Sequence, residues 1–260
     1  MKKLTKRIVT LSTGDEIAVY SNSPKPKSVV FLGIGQTDKS AHYVARNCDY
    51  SVAVAEGVPF QSRKLTRNPE SAEAFGIDSV CRVFNVLETD AMTVVAESQA
   101  SLGVVFALTQ KELPVKSLLL LSPLGLNKKH MGNSPKQRKN ELFRRSRLNW
   151  QLPSQSLRIA GNRWTLLSLL GSGLLAFKHF SSDFTNGISY DITQDLVKLN
   201  NKIPVKVFSG DKDSIFPYHE IKETLADTNI DVMKLPDASH INRGTPQGVS
   251  ELNQVLSTIS

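Results

Sequence analysis

Short runs of consecutive apolar residues recur along the chain at intervals that suit the strands of a parallel sheet. Because apolar and polar residues do not alternate within them, both faces of each strand are predicted to be buried, as in sheets covered by helices on both sides. Six such runs occur, at residues 29–32, 51–55, 92–96, 117–121, 204–209 and 231–235.

Segments with helical signals separate these runs. Helices are predicted at about residues 68–87, 99–111, 219–228 and 245–259. The first twenty residues favour two further short strands, joined by a turn at Thr13-Gly14-Asp15. This alternation of strand and helix predicts an α/β protein with a doubly wound, mainly parallel sheet.

One interval, residues 124–202, breaks the rhythm and is too long for a plain loop in a compact domain. We therefore predict a basic helical insertion there, with a core domain formed by residues 1–123 and 203–260. Between residues 128 and 163, ten lysines and arginines accompany one acid, Glu141, so this segment carries +9 against +8 for the whole chain. The basic character therefore belongs to one segment and not to the fold.

A segment of this kind could attract an anionic substrate, a membrane surface or nucleic acid. The neighbouring residues 164–177 are apolar but too few for a membrane span. A helix packed over a cleft is the simpler interpretation, and contact with an anionic membrane surface is the alternative. Nucleic acid is not an expected partner, because no recognition motif accompanies the arginines.

The two cysteines, Cys48 and Cys81, lie in apolar segments without metal-like spacing, which predicts buried free thiols and a reducing compartment. The first residues lack the unbroken apolar run of a secretory signal. We therefore expect a cytoplasmic protein, and association with a membrane through the basic segment is the alternative.

The first candidate for chemistry is Ser98, at the end of the apolar run 92–96. It lies in Ala96-Glu97-Ser98-Gln99-Ala100, directly before a predicted helix. A sharp strand-to-helix turn exposes a serine hydroxyl at the helix N-terminus and requires small residues two positions before and two positions after it, which Ala96 and Ala100 provide. A serine in this position can also be a simple N-cap, so both interpretations stay open.

Two later loops each follow a predicted strand and carry a polar residue suited to activating a serine. The acid loop, residues 209–217, reads Ser-Gly-Asp-Lys-Asp-Ser-Ile-Phe-Pro and contains Asp211 and Asp213. The histidine loop, residues 235–242, contains His240, one of five histidines. Taken singly, either aspartate could form an Asx-turn and the histidine could be idle in solvent.

Together these segments resemble the α/β-hydrolase family. The pentapeptide around Ser98 is similar to its G-x-S-x-G nucleophile elbow with both glycines replaced by alanine, and Gly210 to Pro217 is similar to its G-x-x-D-x-x-x-P loop. The chain order of serine, aspartate and histidine is also that of the family. The resemblance implies a triad of Ser98, Asp213 and His240, a lid at residues 124–202, and no cofactor or metal.

The resemblance also implies an oxyanion hole formed by two backbone N–H groups. The turn Leu32-Gly33-Ile34-Gly35-Gln36 follows the apolar run 29–32, and glycines let such a backbone approach a substrate oxygen. By position, Ile34 and Gln99 supply the two groups. Leu32 stands where the family often has histidine, and a generic β-turn remains the other interpretation.

The expected function is hydrolysis of a carboxylic ester, thioester or lipid-like acyl substrate through an acyl-enzyme. The alternative is a hydrolase-fold protein without catalysis that serves as a binding or regulatory module. The alanines on both sides of Ser98 motivate that alternative, because each methyl group crowds a strained turn.

Overall fold

The computed structural model describes residues 3–33, 36, 38–57, 69–134, 136–138, 140–141, 144–145, 190–240 and 244–259. Within these ranges the strands are β1 (Thr5–Thr10), β2 (Glu16–Ser21), β3 (Ser28–Phe31), β4 (Val52–Ala55), β5 (Met92–Glu97), β6 (Val115–Leu121), β7 (Val205–Gly210) and β8 (Asp231–Leu235). The helices are α1 (Asp38–Asn47), α2 (Pro69–Leu87), α3 (Ala100–Gln110), α4 (Lys128–Met131), α5 (Thr193–Asn200), α6 (Tyr218–Thr224) and α7 (Pro246–Ser257).

The strands form one sheet in the order β1-β2-β4-β3-β5-β6-β7-β8. β2 pairs antiparallel with β1 and with β4, and all other neighbours are parallel. All six apolar runs are strands, as is the predicted N-terminal pair. The prediction of a mainly parallel sheet is therefore confirmed.

Helices cover both faces of the sheet, which makes it doubly wound. Val94 on β5 packs in one core cluster with residues of α2, α3, α5 and α6, whereas its neighbour Val95 packs in the other with residues of α1 and α7. Alternate residues of one strand thus enter two different cores. Burial on both faces explains why the central strands are continuously apolar.

The sheet has a switch point between the adjacent strands β3 and β5. β3 lies between β4 and β5, and the chain leaves it first toward β4 and later returns on its other side as β5. α1 and α2 consequently pack on opposite faces. Ligands of open α/β sheets bind in the crevice beyond the carboxyl ends of strands at such a point. Ser98 follows β5 at that crevice.

Most of the predicted insertion, residues 146–189, lies outside the described residues, as does the apolar stretch 164–177. The helical lid, its boundaries and its contact with membranes stay predictions. After the insertion, Leu196 and Leu199 of α5 pack in the same core cluster as α3.

Among the described residues, no helix combines the length and the apolar character that crossing a membrane requires. Neither Cys48 nor Cys81 forms a disulfide within the described residues; Cys48 is fully buried with its Sγ donating to Asn253 Oδ1 at 3.2 Å, whereas Cys81 is half-buried and not buried as predicted.

Candidate active site

A sharp turn between β5 and α3 carries Ser98. Ser98 has a φ of 52°, a left-handed conformation that is rare for residues other than glycine. Its N–H donates to the Leu121 carbonyl at 2.9 Å, which ties the turn to the neighbouring strand β6. The turn therefore forms with alanine at both flanking positions, Ala96 and Ala100. Strained backbone of this kind is typical of functional sites.

The structure brings the three residues of the predicted triad together. Ser98 Oγ lies 3.2 Å from His240 Nε2, and His240 Nδ1 lies 2.8 Å from Asp213 Oδ2. All three side chains are buried. Because an ionised carboxylate only accepts, Nδ1 carries the proton and Nε2 is left to accept from the serine hydroxyl. We call these three side chains the relay; their catalytic roles stay predictions.

Asp213 is oriented by the backbone of its own loop. Its Oδ1 accepts from the N–H groups of Ile215 at 2.9 Å and Phe216 at 2.8 Å, which leaves Oδ2 to face His240. The Phe216 ring meets the imidazole edge-on, with centroids 5.0 Å apart. Asp211 is exposed and takes no part in the relay. The two backbone donors and the aromatic contact were not predicted from the sequence.

The acid loop and the histidine loop are fastened to each other by backbone contacts. The Lys212 N–H donates to the Ala238 carbonyl at 3.0 Å, and the Asp211 N–H donates to the Leu235 carbonyl at 3.1 Å. A Cβ at Gly210 would overlap the Ala238 carbonyl oxygen, so only glycine permits this approach. These contacts fix the distance between Asp213 and His240.

One of the two predicted oxyanion donors lies in the described part of the chain. The N–H of Gln99 follows the strained serine, and no acceptor for it is found among the described residues. Ile34 lies outside the described residues. The neighbouring Gly33 packs against the elbow, because a Cβ there would lie 3.0 Å from Ser98 Cβ. The pairing of Ile34 with Gln99 stays a prediction.

Glu97, the residue before Ser98, was given no role by the sequence. It is almost fully buried at the end of β5, and its Oε2 accepts from the Gly33 N–H at 3.4 Å. The carboxylate thus links the elbow to the start of the turn after β3. The sequence feature that could have indicated this role is a glutamate at the end of a continuous apolar run. Across the described ranges, no group of three His, Cys, Asp or Glu side chains is arranged to hold a metal ion.

No family model and no curated protein matches this sequence. Solved structures do match over nearly all of the chain. An esterase from Rhodococcus sp. has a TM-score of 0.58 at 14% identity, with 100% of both chains covered. A bromoperoxidase from Bacillus anthracis has a TM-score of 0.60 at 15% identity, covering 98% of this chain and 99% of that one. An enzyme that degrades N-acyl homoserine lactones has a TM-score of 0.63 at 17% identity, covering 98% and 100%.

These similarities establish the fold. The chain adopts the α/β-hydrolase fold, as the three sequence segments predicted. At such low identity, the similarity establishes nothing beyond the fold. The bromoperoxidase illustrates why, since one scaffold hosts different reactions.

Proposed function

We propose that this protein is a serine hydrolase that cleaves a carboxylic ester, thioester or lipid-like acyl substrate through an acyl-enzyme on Ser98. One observation carries the proposal: an unbroken series of contacts joins Ser98 Oγ through both nitrogens of His240 to Asp213. A buried serine that packs only for structure does not require a histidine whose other nitrogen faces a carboxylate. An activated nucleophile does.

The first half of the proposed reaction is acylation of Ser98. Ser98 Oγ attacks the substrate carbonyl carbon while its proton passes to His240 Nε2, 3.2 Å away. Asp213 keeps the imidazole in the accepting tautomer and stabilises the imidazolium that forms. The Gln99 N–H, with Ile34 as its predicted partner, donates to the developing oxyanion. The bond to the leaving group then breaks, and His240 returns the proton to it.

Deacylation uses the same groups. His240 removes a proton from water, which attacks the acyl carbonyl, and Ser98 leaves with that proton restored. One ester and one water yield one acid and one alcohol. Of the three solved structures reported above, one is named an esterase and another an enzyme that degrades N-acyl homoserine lactones. They support this reaction class without fixing the substrate.

A fluorophosphonate probe tests the proposal, because it reacts covalently with activated serines. We expect the wild type to be labelled and Ser98→Ala not to be. Ser101→Ala is the matched control, since Ser101 is equally buried and lies one helical turn further on in α3. It should be labelled like the wild type. A well-folded wild type that resists the probe and hydrolyses no p-nitrophenyl ester would refute the proposal in favour of a binding module.

A further inference from the structure

Arg145 belongs to the basic segment, yet its side chain is buried. The guanidinium donates to both oxygens of Glu220 on α6, from Nη1 and from Nη2, each at 2.8 Å. Its Nε donates to Glu141 at 2.7 Å. Two acids therefore neutralise this arginine, and it cannot contribute to a basic surface. The interpretation of the charges of this segment as a basic surface is therefore wrong for Arg145.

A buried ion pair needs a reason beyond stability. Removing two charges from water costs about as much as their attraction returns, so such pairs are weak evidence for stabilisation. The planar guanidinium does provide fixed geometry, because its fork engages both carboxylate oxygens at once. Glu220 is itself held by the Asn127 side chain, whose Nδ2 donates to Oε2 at 3.1 Å. This arrangement suits the fixing of one segment against another.

The segment fixed by Arg145 is the acid loop. Arg145 Nη1 donates to the Ile215 carbonyl at 3.3 Å, and the Ser214 hydroxyl donates back to the Arg145 carbonyl at 3.2 Å. Ile215 is also one of the two residues whose N–H groups orient Asp213. Arg145 thus reaches the relay through a single residue, bonded at its carbonyl by Arg145 and at its N–H by Asp213.

The two orienting residues have different supports. The Phe216 carbonyl accepts from the Ser209 hydroxyl at 2.8 Å, a contact made within the core domain. The Ile215 carbonyl accepts from Arg145, which lies in the predicted insertion. Loss of the arginine side chain would therefore remove the support of the Ile215 carbonyl and leave that of Phe216, while the contact of Ser214 with the backbone carbonyl at position 145 would remain. A partial displacement of Asp213 is the expected consequence.

We propose that Arg145 is a positioning residue, which couples the insertion to the relay by holding Ile215 where its N–H orients Asp213. The expected fall in catalytic rate rests on the proposed function, whereas the expected displacement of Asp213 rests only on the contacts described above. A displacement of about 1 Å at a reacting group can cost about 100-fold in rate. The loss of rate on removal of Arg145 is expected in kcat, because the arginine acts on His240 only through the acid loop.

Three variants separate positioning from stability. Arg145→Met removes the fork but leaves Glu220 buried and unpaired, which could prevent folding. Arg145→Met/Glu220→Gln removes both charges and keeps an acceptor for Asn127, so it should melt like the wild type. Arg144→Met is the matched control, because Arg144 is exposed and also binds Glu141 but does not contact the acid loop.

The double variant is measured for its fluorophosphonate labelling rate, its kcat and KM with a p-nitrophenyl ester, and the low-field NMR resonance of the His240 Nδ1 proton. We expect kcat and the labelling rate to fall by about 10- to 100-fold, with KM within about threefold and the resonance shifted or lost. Arg144→Met should match the wild type. Arg145→Lys should be intermediate, because an ammonium cannot engage Glu220 and Ile215 with the same fork.

A double variant with wild-type kcat and an unshifted resonance would show that the pair is only structural, and the inference would be wrong. The NMR reading does not depend on catalysis. A wild type that shows the resonance but reacts with no probe would refute the proposed function alone, while a shift in the double variant would still support the coupling. An unchanged resonance in that case would overturn the coupling as well.

Discussion

Replacing Asp213 with asparagine tests the relay with the smallest change in shape. The two carboxylate oxygens have separate roles, since Oδ1 accepts from two backbone N–H groups and Oδ2 accepts from His240. An asparagine has one oxygen and one NH₂ group for these two positions. The oxygen is expected at the Oδ1 position, because an NH₂ group there would face two N–H donors.

This preference can be estimated from the contacts. The opposite orientation takes this acceptor away from the N–H groups of the half-buried Ile215 and the buried Phe216, at about 1–3 kcal/mol each. The total of about 2–6 kcal/mol favours the first orientation by roughly 30-fold to somewhat over 10⁴-fold. In that orientation the NH₂ group donates to His240 Nδ1, so the ring proton moves to Nε2. A protonated Nε2 cannot accept from Ser98.

We therefore expect Asp213→Asn to fold like the wild type and to lose about 30- to 10⁴-fold in kcat, with KM nearly unchanged. Initial rates with a p-nitrophenyl ester and the rate of fluorophosphonate labelling measure this loss, and thermal melting checks the fold. Asp211→Asn is the control, because this exposed neighbour should tolerate the change. If Asp213→Asn kept activity within a few-fold, or if Asp211→Asn were the inactive variant, the assignment of Asp213 would be wrong.

Two further changes test the surroundings of the relay. Gly33→Ala places a methyl group 3.0 Å from Ser98 Cβ and 3.1 Å from the Glu97 carbonyl oxygen. We therefore expect a loss of about 1–3 kcal/mol in unfolding free energy and slower fluorophosphonate labelling of Ser98. Wild-type values for both would show that the elbow can accommodate this methyl group. Hydrogen bonds from Arg144 lower the pKa of Glu141 from 4.5 to about 2, with Arg145 acting in the same direction against burial. The folded pKa lies below the unfolded one, so this stabilisation is complete above about pH 4.5 and is lost as the pH falls toward 2. Glu141→Gln should therefore reduce the drop in urea midpoint between about pH 5 and pH 2.5, and an undiminished drop would contradict this linkage.

The central strands were predictable because burial on both faces leaves a continuous apolar run in the sequence. The edge strand β8 is mostly exposed, so the prediction of burial on both faces is wrong for it. Three helices were not predicted individually: α1, and α4 and α5 within the interval assigned to the helical insertion. α1 fully buries only Ala41, Val44 and Ala45, so its buried apolar stripe is narrow and made of small residues. α5 buries only Leu196 and Leu199 and falls in the interval assigned to the insertion. Where little side-chain volume is buried, the periodic signal is weak, and tertiary packing decides the structure.

The same distinction applies to the site. The relay residues follow strands in a fixed chain order, so local patterns located them. The contact between Arg145 and Glu220 joins residues 75 positions apart, and no local pattern marks such a pair. In a count of charges, a buried and neutralised arginine is the same as a solvated one. Net charge therefore describes the segment correctly but does not locate its individual charges.

Ala96 and Ala100, two positions before and after Ser98, are the residues that speak most against a working elbow. An elbow needs space wherever its backbone comes close to a neighbouring strand. Here one such approach is to Gly33, where a Cβ would crowd both Ser98 and Glu97. Gly33 is in turn given room by Gly57, because a Cβ at that position would overlap the Gly33 carbonyl oxygen. The requirement for glycine therefore also falls on the turn after β3 and on the residues after β4, so alanine at the flanking positions does not by itself argue against an active serine.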